Sequence, residues 1–159
     1  MKNLEIYIHI PFCVRKCEYC DFLSFPADDD AKLRYVKGLM AEMIFYGPLM
    51  KNYQVSSVYI GGGTPSSIDE QWIAALMEGV FDCFNVLPDA EISIECNPGT
   101  LSREKLLAYR DAGINRLSIG LQSANNDELK LLGRIHTFEQ FVTCLLYTSP
   151  SPRDRSVSR

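Results

Sequence analysis

Short apolar stretches alternate along the chain with segments whose apolar residues recur at helical spacing. The apolar stretches are rich in β-branched and aromatic residues, which is typical of buried strands. They predict strands at residues 4–10, 55–60, 91–96 and 116–121. The amphipathic segments predict helices at about residues 31–46, 69–84, 102–109 and 126–132, with a further apolar pattern that begins at Thr137. The predicted order is therefore β-α-β-α-β-α-β-α.

This order predicts an α/β fold, because strands that alternate with helices form right-handed crossovers and a parallel sheet. Two architectures fit it: an open doubly wound sheet, or part of a parallel (β/α) barrel, since four units cannot close an eightfold barrel. In both, ligands bind at the carboxyl ends of the strands. The unusual residues follow those ends, namely Cys13, the segment 61–64, Glu95 and Gln122. We expect the fold to bring these positions together.

Composition and charge narrow the classes of function. The chain has 159 residues, of which 47% are apolar and 23% charged, as in ordinary globular domains. Its net charge of −4 disfavours non-specific nucleic-acid binding, which needs many cations. No apolar run approaches the roughly 20 residues of a membrane span. Glu5 and Pro11 interrupt the N-terminal stretch too early for a signal peptide. We therefore expect a cytoplasmic protein that does not bind nucleic acid.

Three of the six cysteines lie close together in a C-x3-C-x2-C motif, as Cys13, Cys17 and Cys20. A disulfide scaffold is disfavoured because the chain is long and shows no secretion signal. Three thiolates in one loop can hold a four-iron cluster and leave one iron without a protein ligand. Such an open position distinguishes catalytic metal sites from closed structural ones. The alternative is a zinc site of three cysteines and one histidine, either His9 or His136.

Other candidate residues are ambiguous when taken alone. The glycine triplet and Thr-Pro at residues 61–65 follow a predicted strand directly, and glycines let the backbone approach a ligand closely. The same segment also fits a tight βα turn, and it is neither a Walker loop nor a dinucleotide fingerprint. Glu95 lies in an apolar strand and needs a partner, either a ribose diol or an arginine. Three further residues fit either a ligand contact or a structural role, namely His9, Gln122 and Arg134.

The C-terminal residues do not continue the pattern. From Thr148 the sequence TSPSPRDRSVSR is rich in serine, arginine and proline, and apolar periodicity stops within a helical pattern. We expect residues 1–146 to form the N-terminal part of a core domain. Residues 147–159 are expected to be a flexible tail or a foreign one that resembles translated adapter sequence. A natural stop codon at this place in the complete gene would contradict the foreign origin.

Taken together, the motifs resemble the radical S-adenosylmethionine (SAM) superfamily, and within it the oxygen-independent coproporphyrinogen III oxidase group. The motifs are YIHIPFC at residues 7–13, the cysteine loop, GGGTP at 61–65, RLSIGLQS at 116–123 and LLGR at 131–134. The resemblance covers about residues 4–143. It implies a partial parallel (β/α) barrel of the radical SAM type, with about four β/α units present.

The resemblance also implies a site. Cys13, Cys17 and Cys20 would bind three irons of a [4Fe–4S] cluster, and SAM would bind the fourth. The residues that match SAM contacts of the family are Tyr7, Gly62, Gly63, Thr64, Glu95, Gln122 and Arg134. Among them Glu95 would hold the ribose hydroxyls, and Arg134 would pair with the methionine carboxylate. An electron from the reduced cluster would cleave SAM to methionine and a 5′-deoxyadenosyl radical.

Phe22 distinguishes two branches of this group. Oxidases carry a further cysteine two residues after the third, where this chain has Phe22. The segment instead resembles the heme chaperone branch, HemW. This implies heme or porphyrinogen as a ligand of the full-length protein, with heme-accepting proteins and a reductant such as a flavodoxin or ferredoxin as partners. It also implies a peripheral membrane association of the full-length protein. The alternatives are the oxidase itself and a non-catalytic zinc-binding module, and no catalytic residue is assigned.

Overall fold

The computed structural model describes residues 2–148, in which every predicted strand and helix forms. The strands are β1 (Lys2–Ile10), β2 (Tyr53–Gly62), β3 (Val86–Cys96) and β4 (Arg116–Ile119). The α-helices are α1 (Asp29–Tyr46), α2 (Glu70–Cys83), α3 (Arg103–Asp111), α4 (Asn126–Leu131) and α5 (Phe138–Thr148). Short 3-10 turns occur at Gly47–Met50, Pro65–Ser67 and Pro98–Thr100.

The four strands form one parallel sheet in the order β1-β2-β3-β4. A doubly wound sheet reverses its strand order at a switch point, whereas a barrel adds each strand beside the previous one. The observed order therefore selects the partial (β/α) barrel over the doubly wound sheet. The fold class predicted from the sequence is confirmed.

Alternation along the strands separates an apolar face from a polar one. Ile8, Ile60 and Ile94 lie opposite one another in register, and all are buried in the main core. The same core includes the apolar stripe of α2, formed by Ile73, Leu76, Met77 and Val80. Successive side chains on a strand point to opposite faces. The other face therefore carries the polar and aromatic residues Tyr7, His9, Tyr59 and Glu95.

Element ends follow recognisable local chemistry. The carboxylate of Asp28 accepts a hydrogen bond from the amide of Ala31 and caps the N-terminus of α1. The helix therefore begins at Asp29, two residues before the predicted start. Five strand boundaries predicted from the sequence are wrong. β1 begins at Lys2 rather than at residue 4, and β2 spans Tyr53–Gly62 rather than residues 55–60. β3 begins at Val86 rather than at residue 91. β4 ends at Ile119 rather than at residue 121, and Gln122, just beyond it, adopts a φ of 70°.

The predicted tail begins inside the last helix. Tyr147 and Thr148 belong to α5. Residues 149–159 lie outside the described part of the chain, so the division at residue 146 stays a prediction. Within residues 2–148, no helix has both the length and the apolar character needed to cross a membrane.

Candidate cofactor site

A cavity of about 310 Å³ lies at the carboxyl ends of the strands. Nine of the ten predicted site residues line it, namely Cys13, Cys17, Cys20, Gly62, Gly63, Thr64, Glu95, Gln122 and Arg134. Tyr7 does not line the cavity. Its exposed ring, on β1, stacks on the ring of Tyr59 on β2, with 6.2 Å between the ring centroids. The fold thus brings together positions as distant in sequence as Cys17 and Arg134.

The cysteine loop, residues 13–25, connects β1 to α1 and is held at both ends by main-chain hydrogen bonds. The amide of Cys13 donates to the carbonyl of Phe25 (3.2 Å), and the amide of Phe25 donates to that of Pro11 (3.0 Å). Inside the loop, the amide of Cys20 donates to the carbonyl of Cys17 (3.1 Å). All three cysteines are free and partly buried beside the cavity. Three thiols on one anchored loop are a suitable donor set for an iron–sulfur cluster.

The zinc alternative places a histidine with these cysteines, and the structure does not do so. Neither His9 nor His136 lines the cavity. His9 Nδ1 is hydrogen-bonded to the Tyr7 hydroxyl (2.9 Å), and His136 Nε2 to the carbonyl of Leu121 (3.2 Å). Within residues 2–148, no three or more His, Cys, Asp or Glu side chains are grouped so as to hold one metal ion, as zinc requires. The three thiols of an iron–sulfur cluster each bind a different iron and need not meet at one point.

The glycine turn after β2 packs directly against β1 and the cysteine loop. Gly62 has a φ of 118°, and a Cβ there would lie 2.8 Å from the His9 ring. A Cβ on Gly63 would lie 2.7 Å from the carbonyl oxygen of Phe12 and 3.0 Å from Cys13 Sγ. The close backbone approach that the glycines predict is therefore observed, and it packs the turn against the cysteine loop.

Replacing Gly62 with alanine should destabilise the protein by about 2 kcal/mol, because alanine disfavours the positive φ and its methyl group meets the His9 ring. Urea denaturation measures this loss. Gly38→Ala is the matched control: Gly38 lies within α1 with no atom within 4 Å of an added Cβ, so alanine should stabilise by about 0.5–1 kcal/mol. A Gly62→Ala variant as stable as the wild type would contradict the described turn.

Glu95, near the end of β3, has both carboxylate oxygens hydrogen-bonded. The Tyr59 hydroxyl donates to Oε1 (2.6 Å), and the amide of Gly62 donates to Oε2 (3.1 Å). The expected alternative, a salt bridge to an arginine, does not occur for Glu95 among the described residues. A carboxylate has about four acceptor sites, so Glu95 can still accept hydrogen bonds from a ligand in the cavity.

Tyr59 is a site-associated residue that sequence reasoning missed. Its hydrogen bond to Glu95, together with partial burial, raises the pKa of the Tyr59 phenol to about 12, so the hydroxyl stays a donor at physiological pH. Burial and the nearby Glu95 charge also raise the pKa of Tyr7. The sequence places Tyr59 two residues before the glycine triplet, but that position does not indicate a hydrogen bond to Glu95.

Arg134 follows α4 and connects the end of β4 to the cysteine loop. Its Nη2 donates to the carbonyl of Gly120 (2.8 Å), and its Nη1 donates to Cys17 Sγ (3.6 Å) and to the hydroxyl oxygen of Tyr19 (3.4 Å). The Nε is buried and has no hydrogen-bond partner. A buried N–H group normally has a partner, and a guanidinium fits a carboxylate well. Arg134 is therefore suited to bind an anionic ligand group.

The remaining part of the lining comes from the ends of β3 and β4, from the segment after β4 and from the cysteine loop. Gln122 is exposed, and its φ of 70° is one that residues with a side chain adopt at an energetic cost, often at binding sites. Phe22 is 68% exposed and also lines the cavity, so the residue that distinguishes the two branches lies at the site. Tyr19, which the family resemblance places near the adenine of SAM, also lines the cavity, and the lining residues that were not predicted are Arg15, Cys96, Asn97, Ser118 and Gly120.

The chain is similar in sequence to heme chaperones and in structure to a radical SAM enzyme. The heme chaperone HemW of Escherichia coli (strain K12) is 42% identical over 139 residues, which cover 84% of this chain and 35% of that protein. The mitochondrial radical S-adenosyl methionine domain-containing protein 1 of Bos taurus is 40% identical over 138 residues, covering 86% and 31%. The solved structure of coproporphyrinogen III oxidase (HemN) from Escherichia coli, a radical SAM enzyme, superposes with a TM-score of 0.85 at 32% identity, covering 92% and 34%. The chain spans about a third of the length of these relatives.

The site and the sequence lead to the same family. Three thiols on one loop, a tightly packed glycine turn and an unpaired buried arginine N–H fit a [4Fe–4S] cluster with SAM. The sequence matches the Radical SAM superfamily over residues 7–149, nearly all of the described part. The chain therefore belongs to the Radical SAM superfamily.

Proposed function

We propose that this protein is a radical SAM protein of the heme chaperone type, which binds a [4Fe–4S] cluster and SAM and takes part in heme transfer. One observation carries the proposal: the cysteine loop, the glycine turn, Glu95 and Arg134 converge on one cavity. Cys13, Cys17 and Cys20 would each bind one iron, and the fourth iron would stay open for SAM.

The other residues bind and orient SAM. When bound, the cluster supplies the electron for cleavage of SAM. Glu95 would accept hydrogen bonds from the ribose hydroxyls, and the guanidinium of Arg134, whose Nε has no hydrogen-bond partner, would pair with the methionine carboxylate. The remaining proposed SAM-binding residues are Tyr7, Gly62, Gly63, Thr64 and Gln122. Tyr7 is proposed from the family resemblance alone, because it does not line the cavity, whereas the other residues would hold the cofactor in place and exclude water from it.

Phe22 and the similarity to HemW favour the chaperone over the oxidase. Phe22 stands where oxidases of this group carry a further cysteine, and the 42%-identical relative from Escherichia coli is a heme chaperone. Heme, heme-accepting proteins and a flavodoxin- or ferredoxin-type reductant are the partners we propose for the complete protein. The second candidate is an oxygen-independent coproporphyrinogen III oxidase, which the close superposition with HemN favours.

The complete gene product should bind heme without converting coproporphyrinogen III. Titration with heme under anaerobic conditions should give a saturable Soret absorption band. Incubation with SAM, a reductant and coproporphyrinogen III should leave the substrate unchanged, because Phe22 replaces the extra cysteine of the oxidases. HemN from Escherichia coli, assayed in parallel, is the positive control for turnover. Formation of protoporphyrinogen IX would contradict the chaperone function and support the oxidase.

A further inference from the structure

Tyr59 and Glu95 form a short, charge-assisted hydrogen bond between neighbouring strands. Tyr59 lies on β2 and Glu95 on β3, and the phenol donates to Oε1 at 2.6 Å. Hydrogen bonds to a charged group are shorter and stronger than neutral ones. Tyr59 does not line the cavity, whereas Glu95 does. Tyr59 can therefore act on a ligand through the carboxylate rather than by direct contact.

Gly61 provides a second, independent observation about this pair. A Cβ at Gly61 would lie 2.8 Å from Cε1 of the Tyr59 ring and 3.1 Å from Glu95 Oε2. Because real Cβ atoms essentially never come within 3.0 Å of another heavy atom, a side chain there would displace the ring. Glycine at position 61 therefore lets the tyrosine and the carboxylate lie together across the end of β2.

The Tyr59 ring is also supported by a neighbouring aromatic ring. The ring of Tyr7 stacks on it with 20° between the ring planes. The ring is thus held both by Tyr7 and by close packing over Gly61. With the Gly62 amide on Oε2, this arrangement places both oxygens of Glu95 before any ligand binds.

We propose that Tyr59 is a positioning residue that orients the Glu95 carboxylate to accept the ribose hydroxyls of SAM. This inference rests on the proposed function. An acceptor held in place loses less conformational freedom when a ligand binds, so the affinity for SAM is higher. The phenol contributes by fixing Oε1, while the other lone pair of that oxygen remains free for the ribose.

The test is a double-mutant cycle on the complete gene product after anaerobic cluster assembly, with SAM affinity measured by calorimetry. Tyr59→Phe should weaken SAM binding about five- to tenfold, with iron content unchanged. In a Glu95→Ala background the same change should alter the affinity less than twofold, because the group that Tyr59 positions is absent.

Tyr109→Phe is the matched control, because the Tyr109 hydroxyl is buried without a hydrogen-bond partner and lies away from the cavity. It should leave SAM affinity unchanged. An equal loss from Tyr59→Phe in both backgrounds would overturn the inference, and so would no loss in either. If Glu95→Ala weakens binding and Tyr59→Phe does not, only this inference fails. If the wild-type protein does not bind SAM, the proposed function fails as well.

Discussion

Replacing Cys17 with serine should abolish the four-iron cluster. The motif supplies three thiolates for the cluster, and the two that remain cannot hold it. Iron and sulfide analysis after anaerobic reconstitution should show a fall from about four irons per chain to less than one. The visible absorption of the cluster should disappear with the iron. Full retention of the cluster would refute the assignment of Cys17.

The fold should survive this substitution, so loss of the cluster can be interpreted. The ends of the cysteine loop are tied by the main-chain bonds of Phe25 to Cys13 and Pro11, none of which uses the Cys17 side chain. Far-UV circular dichroism should therefore be unchanged. Cys83→Ser is the matched control: Cys83 ends α2, is also a free, partly buried cysteine, and does not line the cavity. This variant should retain the full iron content.

Replacing Glu95 with alanine should weaken SAM binding at least tenfold and leave the iron content nearly unchanged. The variant loses the acceptor for the ribose and also leaves the Tyr59 hydroxyl and the Gly62 amide without their partner. Cluster assembly should be unaffected, because Glu95 is not one of the proposed iron ligands. Calorimetry for SAM and iron analysis on the same sample measure the two quantities.

Glu91→Ala is the matched control for Glu95→Ala. Glu91 lies on the same strand, is exposed, and its carboxylate accepts from Arg116 at 2.6 Å, away from the cavity. Arg116 and hydrogen bonding from Ser93 lower the pKa of Glu91. Its removal should not change the affinity for SAM. An unchanged affinity in Glu95→Ala as well would make Glu95 a structural residue.

The strands, the helices and most of the residues that line the cavity could be predicted from the sequence. Strand and helix patterns report burial, and parallel strands bring their carboxyl ends to one edge. Cys13 and Glu95 could therefore be placed near each other from their positions alone. Periodicity carries no information about strand order, so the sequence favoured a barrel over a doubly wound sheet only through the family resemblance, and the observed order β1-β2-β3-β4 confirmed it.

Side-chain partners were harder to predict than positions. An aromatic residue on an apolar strand is typical of a core, so nothing in the pattern singled out Tyr59 as the donor to Glu95. The hydrogen bond depends on strand register, which local sequence does not determine. Likewise, the positive φ of Gln122 could not be predicted, because a glutamine does not signal that conformation.

The most direct test of the account is EPR of the reduced protein after anaerobic iron–sulfur reconstitution, recorded before and after addition of SAM. We predict a four-iron signal that changes when SAM is added, because three cysteines would hold three irons and leave the fourth without a protein ligand. Metal analysis of the same folded sample accompanies the spectra. A folded protein that assembles no four-iron cluster and contains zinc instead would contradict the account.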